Sequence, residues 1–137
     1  MGPLVGIRVI ELGGIGPTSF AGMVFADLGA EVIVLDRKTV NTNGAQLDEY
    51  GDGQVDITRR GKKAVAVNLK DPEDLAQVLD LIGTADITIE GFRPGVAERL
   101  GIGPDSCLER QPALAYGRMT GWGQTGPLSH AAGHDLN

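Results

Sequence analysis

The chain has 137 residues, 42% hydrophobic and 22% charged, which suits a single domain with a modest core. Its net charge of −6 argues against general binding to nucleic acid or to anionic membranes, and leaves room only for a local basic site. The single cysteine, Cys107, excludes an internal disulfide framework and reads as a buried or indifferent thiol.

No apolar run reaches spanning length. The N-terminus, MGPLVGIRVIEL, lacks a basic region followed by a signal core and cleavage site, and Ile7 stands where a myristoylation pattern wants Ser or Thr. A reducing, cytoplasmic setting is expected.

The first predicted element is a strand, GIRVIEL. A helix follows, with Pro17 suited to its first turn and Gly29 to its end. Phe20, Val24 and Leu28 recur every four residues, which predicts one stripe facing a core. EVIVLD is an almost unbroken apolar run, as in a parallel strand covered on both faces. Residues 38–63 are polar, aperiodic and rich in Gly and Asn, and predict a long loop. AVAVNL is the third strand. DPEDLAQVLDLIG is the clearest helix: Asp71 is its N-cap, Pro72 its first residue, and Leu75, Val78, Leu79 and Ile82 its apolar face. ADITIE is a fourth strand, GFRPG a turn, VAERLG and PDSCLER short helices, and ALAYGRMT a fifth strand before the glycine-rich GWGQTGP. Alternating strands and helices predict an α/β fold with a mainly parallel sheet. Any site should lie at the carboxyl ends of its strands.

Several motifs carry chemistry. GGIGPTS after the first strand, with Asp36 about 20 residues on, invites a dinucleotide reading. Ser19 stands where a third glycine is wanted, however, and Pro17 removes an amide that phosphate would use. A nicotinamide site is therefore disfavoured; a structural turn and an anion or acyl-group site at the helix start remain open. RRGKK, residues 59–63, gathers four cations that either bind phosphate or form a solvated loop. Arg37 and Arg93 follow strands, so three cationic loops on one rim would suit a polyphosphate ligand. His130 and His134 are four apart, but Pro127 and Gly133 make a regular helix doubtful and no third ligand is evident, so no metal is expected. His134 and Asp135 are adjacent in sequence and do not by themselves form a catalytic dyad.

Taken in order, GIRVIELGGIGPTSFAGMVFADLGAEVIVLDR, RRGKKAVAVNLK, ADITIEGFRPGVAERLGIGP and YGRMTGWGQTGPLSHAAGHDLN resemble the N-terminal part of the α-methylacyl-CoA racemases of the family III CoA-transferase superfamily. The resemblance spans essentially the whole chain, and TGWGQTGP with AGHD is its most specific part. It implies epimerisation of 2-methylacyl-CoA thioesters in fatty acid metabolism by α-proton removal and return, with no cofactor beyond the CoA moiety of the substrate. His134 maps onto one acid–base group, and the amide of Asp135 onto a donor to the enolate oxygen. The second acid–base group is expected beyond Asn137. Arg37, Ala66, Val67, Asn68 and Leu69 are expected at the nucleotide end of CoA, and Gly133, Leu136 and Asn137 along its pantetheine–thioester end. Lys62, Lys63 and Arg93 join this set from charge and placement. By this resemblance residues 1–137 are expected to be the N-terminal, CoA-binding, Rossmann-like part of the large domain, with the small domain and the C-terminal segments absent. Such a piece alone is expected to be inactive, and the full-length protein is expected to be an interlocked homodimer. Residues 38–58 are longer and more acidic than the family pattern. A CoA-transferase with a downstream nucleophilic aspartate and a non-catalytic CoA- or nucleotide-binding module are the alternatives.

Overall fold

The computed structural model describes residues 2–13, 16–38 and 56–133. Five strands, β1 (Arg8–Leu12), β2 (Glu31–Arg37), β3 (Lys62–Val67), β4 (Ile87–Glu90) and β5 (Ala115–Arg118), form one parallel sheet in the order β3-β2-β1-β4-β5. The helices are α1 (Pro17–Asp27), α2 (Pro72–Ile82), α3 (Val96–Arg99) and α4 (Pro104–Arg110), with a 3-10 turn at Ile57–Arg59. The chain winds outward from β1 to β3, then returns to lay β4 on the other side of β1. This reversal opens a crevice at the carboxyl ends of β1 and β4, where open α/β sheets bind ligands. No helix among the described residues is long and apolar enough to cross a membrane.

The period-two alternation of the strands sorts the core onto two faces. Ile10, Leu12, Ile33, Leu35 and Val67 meet Val78 and Ile82 of α2, Ala97 of α3 and Cys107 of α4. Val9, Val32 and Ile89 meet Ala21, Phe25 and Ala26 of α1 on the other face. Strand β2 is buried through Val32, Ile33, Val34 and Leu35, as its unbroken apolar run predicts. Helix α2 is as its sequence reads. The Asp71 carboxylate accepts from the amide of Glu73 at 2.9 Å, and Val78 and Ile82 point into the core. Cys107 is buried, and desolvation pushes its thiol up to about 11.

Two expectations are corrected. Helix α1 runs from Pro17 and is closed by Gly29, whose φ of 98° suits glycine, but its predicted stripe faces outward. Phe20 is 58% exposed, and Val24 and Leu28 are also exposed; Thr18, Gly22 and Met23 are buried instead. At Gly22 the inward face carries no side chain because α1 lies close over the sheet. A Cβ on Gly22 would collide with the Glu11 carboxylate and would sit 2.8 Å from Lys62 Nζ. The second correction concerns β3, which begins at Lys62. Lys62 pairs with Val32 and Val67 with Arg37, so both lysines lie toward the amino end of the strand, away from the crevice.

Candidate functional site

Two clefts open at the carboxyl ends of the strands. The first, of about 380 Å³, is lined by Leu12 and Gly13 after β1, Asp36 and Arg37 at the end of β2, Val67 to Lys70 after β3, and Phe92 and Leu100. Its walls are largely aliphatic, and its rim carries Arg37 and Lys70, both exposed. Among the described residues no carboxylate pairs with Arg37. Asp74, from the first turn of α2, ties this rim together by accepting from the amide of Asn68 at 2.7 Å and from Lys38 Nζ at 2.8 Å. The Lys38 ammonium, and then the Asn68 amide, hold the Asp74 carboxyl below the ordinary carboxylate range.

The second cleft, of about 290 Å³, lies between Pro17 and Thr18 at the start of α1, Gly91 to Pro94 after β4, Met119 to Gly121 after β5, and Ser129 with Ala131 to Gly133. Pro17 and Thr18 bring the start of α1, the positive end of its dipole, to this space. Phe92 lines both clefts and stands at their junction. Its amide donates at 2.6 Å to the carboxylate of Glu90, which is fully buried and also accepts from Arg118 Nε at 2.9 Å. Arg118 reaches on to Glu98 of α3 at 2.7 Å. The turn between the clefts is thus held from beneath by an ion-paired chain that joins β4, β5 and α3.

Of the residues expected at the nucleotide end of CoA, Arg37, Val67, Asn68 and Leu69 line the first cleft together. Ala66 does not line it; it lies one residue back on β3, opposite Asp36. Arg93 and Gly133 line the second cleft. The RRGKK cluster is not brought to that rim. Lys62 donates to Glu11 at 2.6 Å, with both side chains only 2% exposed, and to the Ser19 carbonyl at 2.8 Å. Lys63 pairs with Glu31 at 2.6 Å, Arg59 with Asp36, and Arg60 with Asp27. Hydrogen bonding to Asp36 raises the Arg59 pKa above its ordinary value. The expected three-loop cationic rim therefore reduces to Arg37 and Arg93, joined by Lys70. Sequence reading passed over Lys70 although it directly follows Leu69, and it missed the junction role of Phe92 because that depends on where β4 ends. His130 is exposed in the turn at 127–130. His134, Asp135, Leu136 and Asn137 lie outside the described residues, as does most of the stretch 38–58.

The first cleft offers aliphatic walls and two exposed cations to an anionic ligand, and the second adjoins it at Phe92. Gly133, the residue before the His-Asp pair, is among the residues that line the second cleft.

Comparison with known proteins agrees with these features. Residues 4–137 match the model of CoA-transferase family III. The chain is 39% identical over 134 residues to the α-methylacyl-CoA racemase of Mus musculus, covering 98% of this chain and 32% of that protein. It is 36% identical over 142 residues to the succinyl-CoA:glutarate CoA-transferase of the same organism, with 98% and 32% covered. The crystal structure of a CaiB/BaiF family protein from Brucella suis superposes with a TM-score of 0.83 at 30% identity, over 98% of this chain and 38% of that one. The chain thus spans about a third of the length of the curated relatives it matches.

Proposed function

Since the chain belongs to CoA-transferase family III, we propose that the protein it forms part of epimerises 2-methylacyl-CoA thioesters. The observation that carries this reading is that Phe92 lines both the Arg37 cleft and the cleft that reaches Gly133, the residue directly before His134. In this reading the 3′-phosphoadenosine end of CoA occupies the first cleft. Its base rests against Leu12, Leu35, Val67 and Leu100, and its phosphates face Arg37 and Lys70. The pantetheine arm passes Phe92 and Arg93 and brings the thioester to Gly133.

A thioester α-proton is weakly acidic, so its removal needs a placed base and stabilisation of the enolate oxygen. His134 is the natural base, because imidazole titrates near neutrality and serves as base in one direction and acid in the other. Backbone amides beside it, that of Asp135 included, would donate to the enolate oxygen, where preorganised dipoles have their largest effect. A second group on the opposite face of the α-carbon must return the proton. None of these steps needs a metal or a redox cofactor.

The test uses the protein from its full reading frame, incubated with (S)-2-methylacyl-CoA in deuterated water. The expected result is α-deuterium incorporation with epimerisation, slowed about 10²–10⁴-fold in His134→Ala. A second reading is supported by the 36% identity to a succinyl-CoA:glutarate CoA-transferase. Transfer of CoA between carboxylic acids without α-proton exchange would establish that reading in place of the first.

A further inference from the structure

The loop after β5 and the segment before residue 134 touch at one point where neither chain carries a side chain. A Cβ on Gly121 would sit 2.5 Å from the Cα of Gly133, and a Cβ on Gly133 would collide equally with the Cα of Gly121. The obstacle on each side is backbone, so no side-chain rotation relieves it. Neither glycine has a positive φ, so what this position demands is space rather than conformational freedom. Next to this crossing, the Trp122 indole Nε1 donates to the carbonyl of Ala132 at 3.0 Å, and the Gly123 amide donates to Thr120 Oγ1 at 3.0 Å. On the other strand of the crossing, the Ser129 hydroxyl donates to the Gly126 carbonyl at 2.9 Å. Gly121, Ala132 and Gly133 all line the second cleft.

We infer that the Gly121–Gly133 crossing, tied by Trp122, is a positioning device that fixes Gly133, the residue from which the chain passes to His134. The inference rests on the racemase reading of the second cleft. Gly133 immediately precedes His134, so what anchors Gly133 fixes the point from which the histidine is presented. Trp122 and Gly121 carry no group that could move the α-proton; they act through Gly133. Proton transfer depends steeply on distance, and a displacement of about 1 Å can cost about 10²-fold in rate. In the proposed reading the nucleotide end of CoA occupies the first cleft, which shares no residue with the crossing. Loosening the crossing should therefore slow catalysis and leave binding intact.

The experiment compares wild type, Trp122→Phe, Gly121→Ala and the loop control Thr125→Ala, all in the protein from its full reading frame. For each, α-proton exchange gives kcat and KM, and inhibition by CoA alone gives affinity. Trp122→Phe keeps the ring and removes the N–H; it should lower kcat about tenfold, and Gly121→Ala about 10²-fold. KM and CoA inhibition should stay within about twofold, and Thr125→Ala should match wild type. Unchanged kcat in both Trp122→Phe and Gly121→Ala would overturn the inference alone. So would a loss of CoA affinity in step with kcat, which is the mark of a general folding role. Absence of exchange in wild type would instead overturn the racemase reading, and this inference with it.

Discussion

Gly22 is the point at which α1 rests on the sheet, and its missing Cβ makes room for the Glu11–Lys62 pair beneath the helix. Lys62 links three elements at once: it leaves β3, pairs with Glu11 of β1, and donates to the Ser19 carbonyl of α1. A buried pair broken on one side leaves the other charge uncompensated. Glu11→Gln or Lys62→Met should each lower the unfolding free energy by about 3–5 kcal/mol. The double variant Glu11→Leu with Lys62→Met should recover most of that loss, because two apolar groups need no partner. Urea titration of the three proteins checks this; equal damage in single and double variants would mean that the pair contributes specific hydrogen bonding and not mutual compensation. The pair also explains why sequence alone assigned Lys62 to ligand binding. A cation in RRGKK has no visible partner when its carboxylate lies 51 residues away, and only the parallel sheet brings the two together.

Helix α2 was legible because its local and tertiary signals agree. Its cap, its first-turn acids and its apolar face all specify one orientation. Asp71→Ala should cost about 1 kcal/mol through the lost cap, and Ile82→Ala about 2–5 kcal/mol through the cavity left behind. Helix α1 was legible in its boundaries and not in its orientation. Pro17 and Gly29 mark the ends by backbone chemistry, which is local. Its inward face is instead selected by what lies beneath it, and over the Glu11–Lys62 pair a residue with no side chain, Gly22, is required. The large apolar residues Phe20, Val24 and Leu28 are displaced outward. Thermal or chemical unfolding distinguishes the two orientations. Phe20→Gln should change stability by no more than about 0.5 kcal/mol, whereas Met23→Ala should cost about 2 kcal/mol or more. The reverse ranking would restore the orientation that spacing alone suggests. The clefts divide in the same way. In the first, Arg37 and the neighbouring residues 67–69 sit at strand ends, and the family resemblance named them together with Ala66. The second needs four separate loops to converge, which no local pattern encodes.

Across the whole molecule, carboxylates with depressed pKa values sit on every layer. Asp27 of α1 is held below the ordinary range by Arg60, Glu31 of β2 by Lys63 and Arg8, and Asp56 by the Thr58 hydroxyl. Asp74 of α2 is held down by Lys38 and the Asn68 amide, and Glu98 of α3 by its own amide and Arg118. A carboxylate whose folded pKa lies below its unfolded value binds fewer protons in the native state. Its contribution is complete above the unfolded value, near pH 4, and is lost as pH falls through the folded one. These groups are solvent-facing, so salt should weaken them. The thermal midpoint should therefore be nearly flat between about pH 6 and 8, fall below about pH 4, and fall less steeply in high salt. Asp74 connects this acid limb to the site, because the same carboxylate that titrates also joins Lys38 and Asn68 at the rim of the first cleft. Asp74→Asn keeps the shape and removes the charge. It should flatten part of the acid limb and, at neutral pH, weaken CoA binding about threefold through the loosened rim, a shift readable by calorimetry. A variant that flattened the acid limb with CoA affinity unchanged would assign Asp74 to the stability of α2 alone.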